Sequence, residues 1–244
     1  MKPESRRALN TLLAAALIGW LAVVVVFYQP VRPLPPPELK PRGGPVYFVP
    51  LGAPDPPFLD SVAAQLEQRY QLRVMKLAGL PLDESVVDNR LRQLVAEALI
   101  ALMRREYPRE AADGSAVLVD ITAHDLYIAG YTKWRWAFSY RMDERFAVVS
   151  TARMDDAAWG GASDGQRLEL RLRKMVTKNL GILYFGLDQS SDRRSVMFGP
   201  ILGLGDLGAP AGAVNAAFSG LLVLLLEDAL QRLAGDGAGK LVHD

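Results

Sequence analysis

The 244-residue chain has no cysteine and only two histidines, His124 and His243. Disulfides, thiolate zinc sites and a cysteine nucleophile are therefore excluded, and an imidazole-built metal site has almost nothing to draw on. Charge of neither sign dominates. The 28 basic residues face 27 acidic ones, for a net charge of +1, so there is no electrostatic case for nucleic-acid binding. No G-x-S-x-G motif is present. Gly199 to Gly205 is glycine-rich but lacks the lysine and hydroxyl of a phosphate-binding loop, and reads as a turn. Asp155, Asp156 and Asp192 read as surface loop acids.

Long hydrophobic runs are few, and the first is informative. Residues 9–28, LNTLLAAALIGWLAVVVVFY, hold twenty residues without a charge. At 1.5 Å per residue a helix of that length is about 30 Å long, close to the hydrocarbon thickness of a bilayer. Lys2, Arg6 and Arg7 in the basic segment 1–8 favour a cytoplasmic N-terminus. A cleaved signal peptide is the rival, but VVVVFYQP is a poor cleavage site. A twin-arginine export signal is only faintly suggested by Ser5 to Leu9. Residues 29–45, rich in proline, read as an extended spacer. Pro30 to Pro33 also fits a P-x-x-P ligand. The expectation is a single-pass inner-membrane protein with its domain, 46–244, outside the cytoplasm. Residues 207–226 form a second uncharged run, interrupted by Pro210, glycines, Asn215 and Ser219. A closing helix over 213–233 is expected there, with a second membrane contact as the alternative.

Periodicity within the domain predicts strands over 46–51, 72–77 and 116–122, and helices over 56–72, 88–107 and 166–186. A hairpin over 136–151 should turn near Met142, Asp143 and Glu144. The order predicts an α+β fold.

Several segments then carry a resemblance: Val46 to Gly52; Asp125-Leu126-Tyr127-Ile128; Phe146 to Arg153; and Ser195-Val196-Met197 after a helix. In this order and spacing they resemble the archaemetzincins, zinc-dependent peptidases of the metzincin type. The resemblance covers most of residues 45–200. It implies a zincin-like mixed sheet packed with helices, and a cleft that holds an extended peptide against a strand edge.

Metzincin chemistry lies in H-E-x-x-H-x-x-G-x-x-H followed by a methionine turn. The histidines grip zinc, and the glutamate takes a proton from metal-bound water. Aligning on Leu180-Gly181 places Lys178 at the first histidine, Asn179 at the glutamate, Ile182 at the second histidine and Asp188 at the third. The motif glycine falls on Phe185, beside Gly186. Met197 fits the methionine turn, although the family's nearby cysteine is missing.

A protonated lysine repels zinc, isoleucine has no ligand atom, and asparagine is no general base near neutral pH. The expectation is a pseudoenzyme with no catalytic residue, metal or cofactor, whose partners are the membrane through residues 9–28 and an envelope protein or peptide. A zinc-dependent peptidase with a displaced site is the alternative, and an anchored scaffold is a third. His124 is expected to bond locally beside Asp125 rather than act as a base. Lys133 with Trp134-Arg135-Trp136 suggests either a cation–π or carbohydrate contact or a hairpin edge.

Overall fold

A computed structural model of the chain describes residues 41–52, 56–131 and 133–208. The expected anchor, most of the spacer and the closing helix lie outside the described residues. No described helix is long and apolar enough to cross a membrane.

Strict side-chain alternation along three strands builds the centre. They are β1 (Val46–Leu51), β5 (Val117–Thr122) and β8 (Phe146–Ser150). Val46, Phe48, Val117, Val119, Ile121, Ala147 and Val149 face one core. Val49, Leu51, Leu118, Phe146 and Val148 face the other. Both faces must therefore be covered, as the period-two geometry requires. Helices α1 (Leu59–Tyr70) and α4 (Gly165–Leu183) close the first face, and α2 (Ala96–Glu106) closes the second. Short helix α3 (Pro108–Ala112) follows α2.

The main sheet runs β2-β1-β5-β8-β7, where β2 is Val74–Lys76 and β7 is Ser139–Met142. All its pairs are parallel except β7 with β8. The expected α+β class with a mixed sheet is what forms. The hairpin turns at Asp143 and Glu144, both with positive φ, which suits the twist of a tight hairpin. Strand β7 is an edge strand, paired on one side only.

One predicted element is wrong. The stretch 88–107 is not a single helix. Its first half forms β3 (Val87–Asp88) and β4 (Gln93–Val95), which pair with each other, and β4 pairs with β6 (Leu126–Tyr127) to complete a second small sheet. Leu94 N–H donates to the Asp125 carbonyl, and the Gln93 amide donates to the Asp125 carboxylate and the Arg135 carbonyl. These long-range bonds outweigh helical spacing, and Leu91, expected inside, is 41% exposed.

The last residues before β1 are held against the domain. Arg42 N–H donates to the Tyr184 carbonyl, and its guanidinium to the Leu183 carbonyl, satisfying orphan groups at the end of α4.

Asp120 sits in the middle of β5 on the α2 face, fully buried, and neither carboxylate oxygen has a hydrogen-bond partner. Burial pushes its carboxyl well above the usual carboxylate range. The folded chain thus holds this proton to higher pH than the unfolded chain does. Across that interval the native state binds more protons, so stability falls as pH rises through it. Asp120→Val is expected to stabilise the protein at pH 7 by about 1–3 kcal/mol. It should also flatten the pH dependence above about pH 4, the unfolded value of the group. Urea denaturation at pH 4 and pH 8 measures both.

Candidate functional site

Helix α4 carries the motif positions through the middle of the molecule. Asp164 caps it by accepting from the Arg167 N–H at 3.0 Å. Its apolar positions, among them Leu168, Leu172, Met175, Val176, Leu180 and Leu183, join the first core. Buried polar side chains follow the same helix: Lys174, Thr177, Lys178 and Asn179. Burying lysine and asparagine beside so many apolar groups costs free energy unless each finds a partner.

Asn179 is completely buried. Its amide donates to the Met175 carbonyl at 2.9 Å, and its oxygen accepts from the Arg141 guanidinium at 2.8 Å. The residue at the glutamate position is therefore occupied in tying helix α4 to edge strand β7. Arg141 is itself shielded from water, and burial lowers its pKa.

Lys178 is 4% exposed. Among the described residues its amine has no hydrogen-bond or ion-pair partner. It lines a cleft of about 610 Å³ together with β7, Trp134, Trp136 and Gln189. Burial, then the neighbouring charges of Arg141 and Lys174, lowers its pKa to about 8, and Asp206 opposes the shift.

The sequence-predicted positions divide here. Lys178 lines the cleft, whereas Ile182 and Asp188 line a separate groove of about 370 Å³ with Arg42 and Glu144. Asp188 stands in that groove because of the shape of the helix end. The Leu180 carbonyl accepts from both the Tyr184 and Phe185 N–H groups, and the Leu187 N–H reaches back to the Gly181 carbonyl. This widened last turn takes up one extra residue, and the chain then leaves through Gly186 at φ +65°. With Gly186 as the motif glycine, the spacing G-x-x-H falls on Gln189. The ends of Gln189 and Lys178 both crowd Gly199: a Cβ there would stand 2.0 Å from Gln189 Oε1 and 2.8 Å from Lys178 Nζ. The signal in the sequence was Gly186 standing next to the expected glycine position.

Met197 occupies the expected turn beneath the helix. The Met197 N–H donates to the Ser195 hydroxyl, and the Ser190 N–H donates to the Met197 carbonyl. Its sulfur lies where a Cβ on Gly181 would stand 2.5 Å away, so a larger residue at that helix position would have to push the methionine aside.

Two other resemblance segments meet through an ion pair. The Arg153 guanidinium donates twice to Asp125, at 2.8 and 2.6 Å. Burial works against the Asp125 charge, but the bonds from Arg153 and Gln93 outweigh it and hold its pKa down. Arg153 also lies over Trp136 and Trp159, at 5.2 and 5.8 Å from their ring centroids. The cation on the tryptophan cluster is thus Arg153 rather than Lys133 or Arg135. His124 is exposed and makes local backbone bonds, accepting at its carbonyl from Ser150; its imidazole rests against Gly52. Asp156 is no free loop acid, since it accepts from Arg167 and buried Arg171.

A lysine whose pKa is lower folded than unfolded releases its proton earlier in the native state. Its burial costs most below about pH 8, and that cost is recovered as pH rises from about 8 toward 10.5. Lys178→Met is expected to stabilise the protein by about 2–3 kcal/mol at pH 7, with the gain shrinking toward pH 10. Thermal or urea unfolding at pH 7 and pH 9.5 checks both sign and slope; a loss of stability at pH 7 would contradict the assignment.

No protein-family profile matches the chain, and no curated protein matches it. Three solved structures do resemble it. A zinc-dependent peptidase from Methanocorpusculum labreanum shares 20% identity and a TM-score of 0.53, over 66% of this chain and 91% of that one. Archaemetzincin from Methanopyrus kandleri shares 25% identity and a TM-score of 0.53, over 70% and 89%. Archaemetzincin from Archaeoglobus fulgidus, complexed with malonate, shares 18% identity and a TM-score of 0.52, over 68% and 92%. The sheet, the helix with its methionine turn and these likenesses together make the chain archaemetzincin-like in fold.

Proposed function

We propose that the chain is a non-catalytic, membrane-anchored zincin-like domain that works by binding an extended peptide or an envelope protein. The observation that carries this reading is the state of the motif helix. At the three ligand positions stand Lys178, Ile182 and, in the register of the widened turn, Gln189. None offers zinc the imidazole, thiolate or carboxylate it takes. The base position holds Asn179, already bonded on both ends of its amide. The residues present do not fit zinc, and Lys178 brings a positive charge to the place where the motif would hold the metal. Among the described residues no three His, Cys, Asp or Glu side chains come together as a metal could use them, which weighs against a displaced site.

The binding surface in this reading is the cleft along β7. An edge strand offers main-chain donors and acceptors, and an extended peptide can add to it as a further strand. The aromatic residues Trp134, Trp136, Phe138 and Tyr140 line the same cleft and supply side-chain contact area. Residues 9–28 would anchor this surface to the inner membrane, and 29–45 would hold it clear of the bilayer on the extracytoplasmic side.

Full-length protein purified in detergent without chelators is expected to contain less than about a tenth of an equivalent of zinc. It should show no chelator-sensitive cleavage of a casein substrate. Elemental analysis and the protease assay test this together; stoichiometric zinc with chelator-sensitive cleavage would replace this reading with that of an active peptidase.

A further inference from the structure

The cleft is charged on one side of the ledger only. Lys133, Arg135, Arg141 and Lys178 line it, and no aspartate or glutamate does. Among the described residues none of these four cations forms an ion pair. The whole chain is nearly neutral, so such a local imbalance is a property of the site rather than of the composition. Elsewhere among the described residues several cations are paired: Arg153 with Asp125, Arg167 and buried Arg171 with Asp156, Arg104 with Asp143.

Burying an unpaired ammonium costs free energy, and Lys178 has no internal partner to offset it. The groups that surround it are cations or neutral donors and acceptors. Arg141 reaches in from β7, Lys174 lies one turn earlier on α4, and Gln189 comes from beyond Gly186. The nearest acid, Asp206 on the short helix α5 (Leu204–Leu207), is bonded through its carbonyl to Lys174 and through its carboxylate to Arg193 and the Leu202 N–H. Arg141 spends one donor on Asn179, and among the described residues its guanidinium makes no other hydrogen bond or ion pair. A buried ammonium and a guanidinium at the foot of an open strand edge are the donor set of a carboxylate receptor.

We propose that this cleft recognises a carboxylate of an extended peptide, with Lys178 and Arg141 as the two cations that receive it. The proposal deepens the non-catalytic reading and rests on it: the protein's own cations take the place of a metal in holding the ligand's oxygens. The carboxylate comes from the peptide's C-terminus or from an acidic side chain, and both sources share this chemistry. The tryptophans supply the apolar wall that shields the contact from water, where charge-assisted bonds are strongest.

The test uses full-length protein in detergent and isothermal titration with four probes. Hippurate presents a C-terminal carboxylate, N-acetylglutamate α-amide a side-chain carboxylate, hippuramide neither, and inorganic phosphate a different anion. At least one carboxylate probe is expected to bind tenfold or more tightly than hippuramide, and the tighter of the two identifies the source. Lys178→Met should cut that binding at least tenfold, while Arg109→Gln on α3, which does not line the cleft, should change it less than threefold. The acid-against-amide comparison needs no variant, so the proposal remains exposed even if a substitution disturbs folding. Equal binding of acid and amide, phosphate binding as tight as either carboxylate, or full binding by Lys178→Met would each overturn it. Adding 1,10-phenanthroline, a zinc chelator with no carboxylate of its own, separates the two readings. Carboxylate binding that survives it supports the cation receptor, and binding that vanishes means a metal holds the ligand and overturns it. A zinc-free protein that ignores carboxylates would sink this inference alone and leave the non-catalytic reading standing.

Discussion

The hydrogen bond from Arg141 to Asn179 is the constraint on which the centre of the protein depends. It joins the edge strand β7 to helix α4 across the cleft, at 2.8 Å and at a fully buried acceptor. A charge-assisted bond contributes roughly 1.5–3 kcal/mol, and breaking it would leave a buried amide oxygen and a half-buried guanidinium without partners. The bond also sets the charge of the site. It fixes Arg141 close enough to Lys178 to help lower the pKa of that amine, and it removes the residue at the glutamate position from any chemistry.

Around that bond the fold is archaemetzincin-like. Helix α4 carries Gly181, and Met197 fills the space that Gly181 leaves open. Fold likeness alone does not assign a function, so the functional argument rests on Lys178, Asn179, Gln189 and Arg141.

Buried ionisable groups without partners mark two places, and they differ in kind. Asp120 lies inside an apolar layer with no route to a ligand, and its burial is resolved by keeping a proton. Lys178 lies at the floor of an open cleft, where a ligand can resolve it instead. The same desolvation physics acts on both, but access to the solvent side of the cleft separates a stability cost from a recognition site.

Local patterning was enough to read much of the domain. The alternation of 46–51, 116–122 and 146–150 announced buried strands, and the acidic turn at Asp143-Glu144 announced the hairpin, because period and turn chemistry act over a few residues. The motif segments and their order were legible for the same reason. Two features were not. Residues 88–95 have helical spacing, yet they became strands because the Asp125 carbonyl and carboxylate, more than thirty residues away, offered hydrogen bonds that spacing cannot register. Gln189 rather than Asp188 reached the cleft because the last turn of α4 widened by one residue, and that choice lies in backbone bonds to Leu180 and Gly181. Residue types told which side chains the chain has to offer; only the packed structure decided that Lys178, Arg141 and Gln189 stand together, since their proximity comes from strand β7 and the widened turn rather than from their spacing along the chain.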